Sequence, residues 1–388
     1  MSAILPSIDH AAKALSDRLL RMIIDEIKQT GPMSFSRYMS LALYANETGY
    51  YRNAYQKLGE QGDFVTAPEI SPLFSYCLAN QCAEILRDLK GGDILEFGAG
   101  SGMMAADVLI MLEHLNQLPN HYYIVELSAH LKAQQYETIR AKTPALLNRV
   151  VWLSQLPAEK IRGVILANEV LDAMPVHQFI IQNGVRECGV TLNKKSDENP
   201  LTYCVLENSS SELIKTIENY DISFTENYVS EVNLQLPAWI KSVSGILSSG
   251  VILLMDYGFP RHEYYHPDRS QGTLMCHYRH HTHSNPLILP GLQDITAHVD
   301  FTAVAEAASM SECDVVGFSN QAAFLINNEL LSFLEETTDE KKRLIQNQHI
   351  LKLTMPSEMG ELVKVMALTK NFSLELICFR TMNQLVRL

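Results

Sequence analysis

The segment ILEFGAGSG contains residue types that could bind a small ligand. It places Glu96 at the end of a predicted strand, and alternate glycines then lead into a predicted helix: Gly98, Gly100 and Gly102. Such a turn lets a ligand approach the backbone closely and offers it the N–H groups of a helix N-terminus. The dinucleotide fingerprint needs its third glycine at the position of Met103. The spacing therefore disfavours a nucleotide-cofactor oxidoreductase.

This acid-x-G-x-G-x-G pattern resembles the first motif of class I S-adenosylmethionine methyltransferases. The resemblance implies that Glu96 faces the methionine ammonium, directly or through water, and that the glycine turn accommodates the carboxypropyl and ribose portions. It also implies an acid at the end of the second strand that binds the ribose hydroxyls, and Glu126 of YYIVELS stands there. Two acids suit a sulfonium cofactor but would repel a pyrophosphate. The alternative is a simple tight turn, with Glu126 capping a helix together with Ser128.

A further polar group follows the apolar run in VILANEVLDAMPVHQF. Ligands of open α/β sheets bind beyond the carboxyl ends of the strands, so we place Asn168 at the cofactor and Glu169 with Asp172 at a methyl acceptor. Arginine stays protonated, so fixed carboxylates would have to hold its planar guanidinium and bias charge away from the attacking nitrogen. Glu69 and Glu187 are further contributors. The alternative for Asp172 is a cap on a following helix.

The segment GDFVTAPEISPLF precedes the glycine turn. Its second half predicts a helix N-terminus, with Ser71 as the N-cap and Pro72 as the first helical residue. We expect Thr66, a turn stiffened by Pro68, and Glu69 to close over the methionine end of the cofactor and to form one wall of an acceptor channel. The alternative is that Glu69 only caps the following helix near its positive end.

The elements that must position these residues follow an alternating pattern. From residue 93 onward, short apolar runs alternate with helical segments, which is typical of β-α-β units. The predicted strands are 93–97, 122–126, 150–153, 163–168 and 250–258. Segments 313–318, 362–369 and 374–380 complete the predicted sheet, the last two as an antiparallel pair. The predicted fold class is α/β, a Rossmann-like sheet that is mostly parallel with an antiparallel C-terminal strand.

The chain divides into four predicted regions. Residues 1–90 form an N-terminal helical region with the cofactor-covering loop, in which Ser16 and Ser34 begin helices. Between the fourth and fifth strands the connection is far longer than the usual two to six or so residues, so it contains an insertion. The boundaries are 91–183 for the first part of the core, 184–248 for the insertion, and 249–388 for the second part with an inserted loop at 259–300.

Composition narrows the classes of partner. A net charge of −13 over 388 residues argues against a nucleic-acid partner, which requires a basic surface, and suits a cationic substrate. No apolar run reaches the roughly 18 residues that span a bilayer, so no membrane insertion is predicted. Seven scattered cysteines suit reduced thiols, and the N-terminus has no leader pattern. The predicted location is the cytoplasm.

The segment CHYRHHTHSNP raises the possibility of a metal site. It contains Cys276, His277, His280, His281 and His283. These residues crowd into one apparent loop, and no second ligand pair with a recognisable spacing follows. We therefore predict no metal and interpret the segment as a polar loop on the substrate side.

From about residue 31 to 326 the chain resembles the MidA-like proteins. That family includes a mitochondrial protein arginine methyltransferase that serves as an assembly factor of respiratory complex I. The resemblance lies in long nonperiodic segments: GPMSFSRYMSLALYANETGYY, GDFVTAPEISPLF, ILEFGAGSG, ANEVLDAMPVHQF, EYYHPDRSQGTL, GLQDITAHVDFTA and GFSNQAAFL. It implies S-adenosyl-L-methionine as methyl donor and an arginine of a protein substrate as acceptor, with a complex I subunit as one candidate.

Two other functions remain open on the sequence. One is a catalytically weak methyltransferase fold that acts as an assembly or binding factor, with its insertions as the docking surface. The other is a methyltransferase that acts on a different acceptor.

Overall fold

The computed structural model describes residue 6 and residues 8–53, 66–196 and 199–388. The first half of the predicted cofactor-covering segment, from Gly62 to Val65, lies outside these residues. The helices are α1 (His10–Thr30), α2 (Phe35–Tyr44), α3 (Ala67–Ile70), α4 (Pro72–Asp88), α5 (Met103–His114), α6 (Ala129–Lys142), α7 (Ser211–Glu218), α8 (Leu236–Ile246), α9 (Arg261–Tyr264), α10 (Phe301–Ser309), α11 (Gln321–Asn327), α12 (Glu340–Thr354) and α13 (Met359–Leu362).

The strands complete this alternating order. They are β1 (Met33–Ser34), β2 (Asp93–Phe97), β3 (Tyr122–Val125), β4 (Val150–Leu153), β5 (Ile161–Asn168), β6 (His177–Ile181), β7 (Val185–Leu192), β8 (Leu201–Val205), β9 (Val229–Val232), β10 (Leu247–Phe259), β11 (Met275–Tyr278), β12 (His281–His283), β13 (Asp294–Thr296), β14 (Val299–Asp300), β15 (Asp314–Asn320) and β16 (Val363–Lys370). The predicted fourth and fifth strands are β5 and β10.

The chain forms two compact units. The first unit comprises Met1–Phe64, Asp172–Leu236 and Arg261–His298, and the second comprises Val65–Leu171, Pro237–Pro260 and Val299–Leu388. The predicted region 1–90 is thus divided near residue 64. The reason is packing: Leu73, Phe74 and Leu78 of α4 are buried in the same core as Ile94 of β2.

The second unit contains the predicted α/β sheet. Its strand order is β15-β16-β10-β5-β2-β3-β4, with β14 pairing at the end of β10. The central pairs are parallel, whereas β16 is antiparallel to both β10 and β15. Val164, Ile165 and Leu166 of β5 are completely buried, as expected for a strand that is covered on both faces. The α/β fold class with a mostly parallel sheet is confirmed, and the antiparallel strand near the C-terminus is β16.

The predicted strand at 374–380 is wrong. This segment contains a short 3₁₀ helix at Ile377–Phe379, and β16 pairs with β15 and β10 instead. The N–H of Ile377 donates to Glu84 Oε2 and that of Cys378 donates to Gln81 Oε1, both at 2.9 Å. Side chains of α4 therefore take the donors that a sheet would need.

Helix starts were predicted well except in one case. Ser34 and Ser71 are N-caps as predicted, accepting from the N–H groups of Arg37 and Leu73. The first helix begins earlier than predicted, because Asp9 rather than Ser16 caps it. Ser16 lies on the buried face of α1, where its hydroxyl donates to the Pro290 carbonyl at 2.9 Å.

The first unit contains two antiparallel sheets. One has the order β1-β7-β6-β9 with β8 against β7, and the other has the order β12-β11-β13. Strands β7 and β8, within the predicted insertion, pair antiparallel. The His-rich segment forms the β11–β12 hairpin rather than a loop. Among the residues that the structure describes, no group of three or more His, Cys, Asp or Glu side chains could hold a metal, and no helix is long and apolar enough to cross a membrane.

Candidate functional site

The glycine turn joins β2 to α5 in the second unit. Gly98, Gly100 and Gly102 all have positive φ, at 63°, 54° and 86°, a region that only glycine adopts readily. A Cβ atom on Gly102 would also lie 2.9 Å from the Cα of Gln135. Gly98 is exposed at the end of a buried strand. The turn therefore leaves backbone accessible to a ligand beside the N-terminus of α5.

Glu96 is buried immediately before this turn. Its side chain is only 1% exposed, and it accepts a hydrogen bond from the Tyr122 hydroxyl at 2.7 Å. Burial raises the pKa of Glu96 to about 7, although the Tyr122 hydrogen bond acts in the opposite direction. Glu96 thus belongs to the interior of the second unit, and its contact with the methionine ammonium remains a prediction.

Glu126 lies directly after β3, one residue beyond the end of the strand that it was predicted to close, and is linked to the glycine turn. Its Oε1 accepts from the Ser128 N–H at 2.7 Å, and its Oε2 accepts from the Gln135 amide at 2.9 Å. The same amide donates to the Gly100 carbonyl at 3.1 Å. The two predicted parts of the cofactor site are therefore brought together, and Glu126 also supports the start of α6, where Ser128 is the N-cap.

Glu69 contacts the glycine turn from the other side. Its carboxylate accepts a hydrogen bond from the hydroxyl of Ser101, which is 7% exposed. The following helix is capped by Ser71 itself, whose hydroxyl accepts from the Leu73 N–H. The side chain of Glu69 is therefore directed at the glycine turn, whereas the alternative had assigned it to the cap.

Thr66 and Pro68 shape the turn that carries Glu69. Thr66 is the extended N-cap of α3, and its carbonyl accepts from the Glu69 N–H at 2.9 Å. Pro68 is buried within the first turn of the same helix. These contacts fix Glu69, while contacts of Thr66 and Pro68 with the cofactor remain predictions.

Glu169 has an unusual backbone conformation after β5. Its φ is 52°, in the left-handed region, where a non-glycine residue is strained. The N–H of Glu169 donates to the Met255 carbonyl of β10 at 2.8 Å, and the Asn168 amide lies 3.3 Å from Glu169 Oε1. Strained residues of this kind concentrate at functional sites.

Asp256 holds the chain that follows Glu169. It is 1% exposed, and its Oδ2 accepts from the N–H groups of Val170 and Leu171 at 3.1 and 2.8 Å. Its Oδ1 accepts from the N–H of Tyr257 at 2.8 Å. Sequence reasoning did not assign this role, although a polar residue at the end of a buried strand was a usable signal.

Asp172 and Glu187 belong to the first unit. No helix forms over residues 169–176, so the helix-cap alternative for Asp172 is wrong. Asp172 is 6% exposed, and its carbonyl accepts from the Ala297 N–H at 2.9 Å. The oxygens of Glu187 contact His177 Nδ1 at 2.7 Å and the Ser210 N–H at 2.8 Å. These contacts favour a structural role for Glu187.

The pKa of Glu187 reflects these contacts. Burial acts to raise it, but the hydrogen bonds from His177 and from the backbone of Ser210 together hold the pKa of Glu187 below its ordinary value. The charged form of Glu187 is thus the one that this part of the first unit stabilises.

Gln135 is the most informative residue that sequence reasoning did not assign to the site. It is completely buried on α6, on the same face as Leu131 and Ile139. A polar residue on an apolar helix face was the available signal, because a buried amide requires hydrogen-bond partners.

The chain is similar to methyltransferases in family, sequence and structure. The model of S-adenosyl-L-methionine-dependent methyltransferase family 28 matches residues 77–319. Protein arginine methyltransferase NDUFAF7 of Bos taurus is 29% identical over 384 residues, which cover 90% of this chain and 83% of that protein. The homologue of Caenorhabditis elegans is 26% identical over 404 residues, covering 94% and 90%.

Two crystal structures from Burkholderia thailandensis resemble this chain along its whole length. One, bound to S-adenosyl-homocysteine, has a TM-score of 0.94 and 40% identity, covering 99% of this chain and 100% of that one. The other, a native structure, has a TM-score of 0.91 at the same identity and coverage.

The comparison also corrects the predicted location. The sequence predicted a cytoplasmic protein, and this prediction is wrong because the curated relatives are mitochondrial.

The residues present fit the cofactor of this family. The glycine turn exposes backbone beside a helix N-terminus, and an acid anchored to that turn follows the neighbouring strand. Two carboxylates are bonded to the turn, Glu69 through Ser101 and Glu126 through Gln135, and carboxylates suit a sulfonium ligand. The MidA-like resemblance and the S-adenosyl-L-methionine cofactor are thereby confirmed, and the chain belongs to the S-adenosyl-L-methionine-dependent methyltransferases of family 28.

Proposed function

We propose that this methyltransferase transfers methyl groups to an arginine guanidinium of a protein substrate. The chief support is the 29% identity, over 90% of this chain, to relatives named protein arginine methyltransferases. The net charge of −13 also favours a cationic substrate. Within the second unit, Glu169 places a carboxylate directly after the carboxyl end of the central strand β5, on a backbone in the left-handed region.

The cofactor site in this proposal uses residues around the glycine turn. Glu126 binds the ribose hydroxyls, and the backbone at Gly98 and Gly100 accommodates the carboxypropyl and ribose portions. The carboxylate of Glu96 compensates the positive charge of the methionine ammonium. Asn168, Thr66 and Pro68 form the walls of the cofactor site. When bound, S-adenosyl-L-methionine supplies a methyl group on a sulfonium sulfur.

The proposed acceptor site uses carboxylates, which can form hydrogen bonds with the N–H groups along the edge of a guanidinium. The carboxylate of Glu169 accepts hydrogen bonds from N–H groups of the guanidinium and thereby fixes the orientation of its plane. It also draws positive charge toward the nitrogens that are not methylated. Glu69, which belongs to the same unit, is the other carboxylate that we assign to the acceptor. Glu69 is already fixed by Ser101 and thus requires little reorganisation.

The protein substrate that we propose is a subunit of respiratory complex I. Support for this finer assignment comes from the resemblance to the MidA-like family, which includes an assembly factor of that complex.

Transfer can be tested with labelled cofactor. The purified protein is incubated with methyl-labelled S-adenosyl-L-methionine and a cell lysate, and modified residues are mapped by mass spectrometry. We expect methylarginine in a small number of proteins and none with Glu169→Gln. As a matched control, Glu159→Gln changes an exposed carboxylate of the second unit and should leave labelling intact. Label on lysine or on a small molecule would contradict the arginine assignment, and no labelled product would favour an assembly factor.

A further inference from the structure

A single buried side chain connects the two halves of the cofactor site. Gln135 lies on α6, 9 residues after Glu126 and 35 residues after Gly100. It is completely buried, and its amide contacts both of them. We propose that Gln135 is a positioning residue that holds the ribose-binding acid and the glycine turn as one rigid surface.

All three polar groups of the amide are used. One Nε2 contact goes to the Gly100 carbonyl at 3.1 Å and one to Glu126 Oε2 at 2.9 Å, while Oε1 accepts from the Trp152 indole N–H at 3.0 Å. A flipped amide would set its oxygen against a carbonyl and a carboxylate, and its NH₂ against the indole N–H. The network therefore permits one orientation only.

Packing reinforces these hydrogen bonds. A Cβ atom on Gly102 would lie 2.9 Å from the Cα of Gln135 and 3.2 Å from its carbonyl oxygen. The backbone of α6 thus packs directly against the glycine turn at the residue whose side chain also bonds to it. A shift of Gln135 would move both the turn and Glu126.

The consequence for ligand binding is orientation of a carboxylate. Glu126 is held at one oxygen by Gln135 and at the other by the Ser128 N–H. Each carboxylate oxygen can accept more than one hydrogen bond, so both can still receive a ribose hydroxyl. Binding then costs less side-chain entropy, because the rotamer of Glu126 is already selected. This inference rests on the proposed assignment of Glu126 to the ribose.

The test compares two ligands that differ at the ribose. Calorimetry measures the Kd of S-adenosyl-homocysteine and of its 2′-deoxy analogue. A hydrogen bond to a charged group predicts that the wild type prefers the parent ligand by about 10- to 100-fold. In Gln135→Met this preference should fall to roughly 3-fold, with about 10-fold weaker binding of the parent ligand. Gln134→Met, on the same helix but half-buried, should leave both values unchanged.

The ratio separates positioning from general support of the fold. A purely structural role would weaken both ligands by the same factor, and an unchanged ratio in Gln135→Met would overturn the proposal. Trp152→Phe removes the indole N–H together with part of the ring and leaves Gln135 itself in place. It is the second variant, for use where Gln135→Met does not fold. A smaller fall of the ratio supports the proposal, and no fall overturns it. If Glu126→Gln also leaves the ratio unchanged, the ribose assignment itself is wrong, and this inference fails with it.

Discussion

The hydroxyl of Ser101 donates a hydrogen bond to the carboxylate of Glu69, which lies 32 residues earlier in the chain. Ser101 belongs to the glycine turn, and its oxygen also accepts from the Met103 N–H at 3.3 Å at the start of α5. One hydroxyl therefore links the segment before the sheet, the turn and the helix that follows it.

This link predicts a change in ligand affinity. Ser101→Ala removes the donor to Glu69 and leaves the glycines in place. We expect about 10-fold weaker binding of S-adenosyl-homocysteine in calorimetry, because the variant no longer holds Glu69 against the glycine turn. A hydrogen bond to a charged group contributes about 1.5–3 kcal/mol, and water replaces part of that contribution in the variant. Ser75→Ala changes a buried hydroxyl of α4 and should bind normally. Equal affinity of Ser101→Ala and the wild type would show that the hydrogen bond between Ser101 and Glu69 does not shape the cofactor site.

The backbone of Glu169 predicts opposite effects on stability and activity. Its φ of 52° is strained for glutamate, so Glu169→Gly should raise the free energy of unfolding by about 1 kcal/mol while abolishing methyl transfer. Glu169→Ala keeps the strain and should abolish transfer without the gain. Urea unfolding and the labelling assay measure the two effects. A destabilised Glu169→Gly variant, or an active one, would contradict the role of Glu169.

Burial of Glu96 predicts a pH-dependent stability. Its pKa is raised to about 7 in the folded protein, so the folded state binds more protons than the unfolded state between about pH 4.5 and pH 7. The contribution of Glu96 is therefore present at low pH and is lost as the pH rises through this window.

The neutral variant Glu96→Gln isolates this contribution. Relative to the wild type it should become more stable with rising pH, with a change of roughly 3 kcal/mol between pH 4.5 and pH 7.5. Glu113→Gln, on the exposed surface of α5, should show a flat difference over the same range. A flat difference for Glu96→Gln as well would mean that the carboxyl group is not buried as described.

Local sequence predicted the elements of the fold better than the contacts within the site. Strand β2 was predicted with the bounds found, because an apolar run lies between glycines on both sides. The segment at 374–380 alternates like a strand, yet side chains of Gln81 and Glu84 occupy its donors. That outcome depends on residues almost 300 positions away, which no local pattern encodes.

The site shows the same division. The glycine spacing and the acid after β3 could be recognised in the sequence, because the glycines directly follow β2 and Glu126 directly follows β3. The roles of Gln135 and Asp256 depend on which strands and helices become neighbours. Val170 and Asp256 meet only because β5 pairs with β10 in parallel. The sequence carried one sign of each role: Gln135 is a polar residue on an apolar helix face, and Asp256 is a polar residue at the end of an apolar strand.

The central claim is that the second unit binds its cofactor through the glycine turn and Glu126. Calorimetric titration of Glu126→Ala with S-adenosyl-homocysteine tests it most directly, with Glu137→Ala, an exposed acid of α6 that pairs with Arg140, as the control. We predict at least about 10-fold weaker binding in Glu126→Ala, because bonds to a charged acceptor are lost, and normal binding in the control. An unchanged Kd in a folded Glu126→Ala variant would contradict the claim.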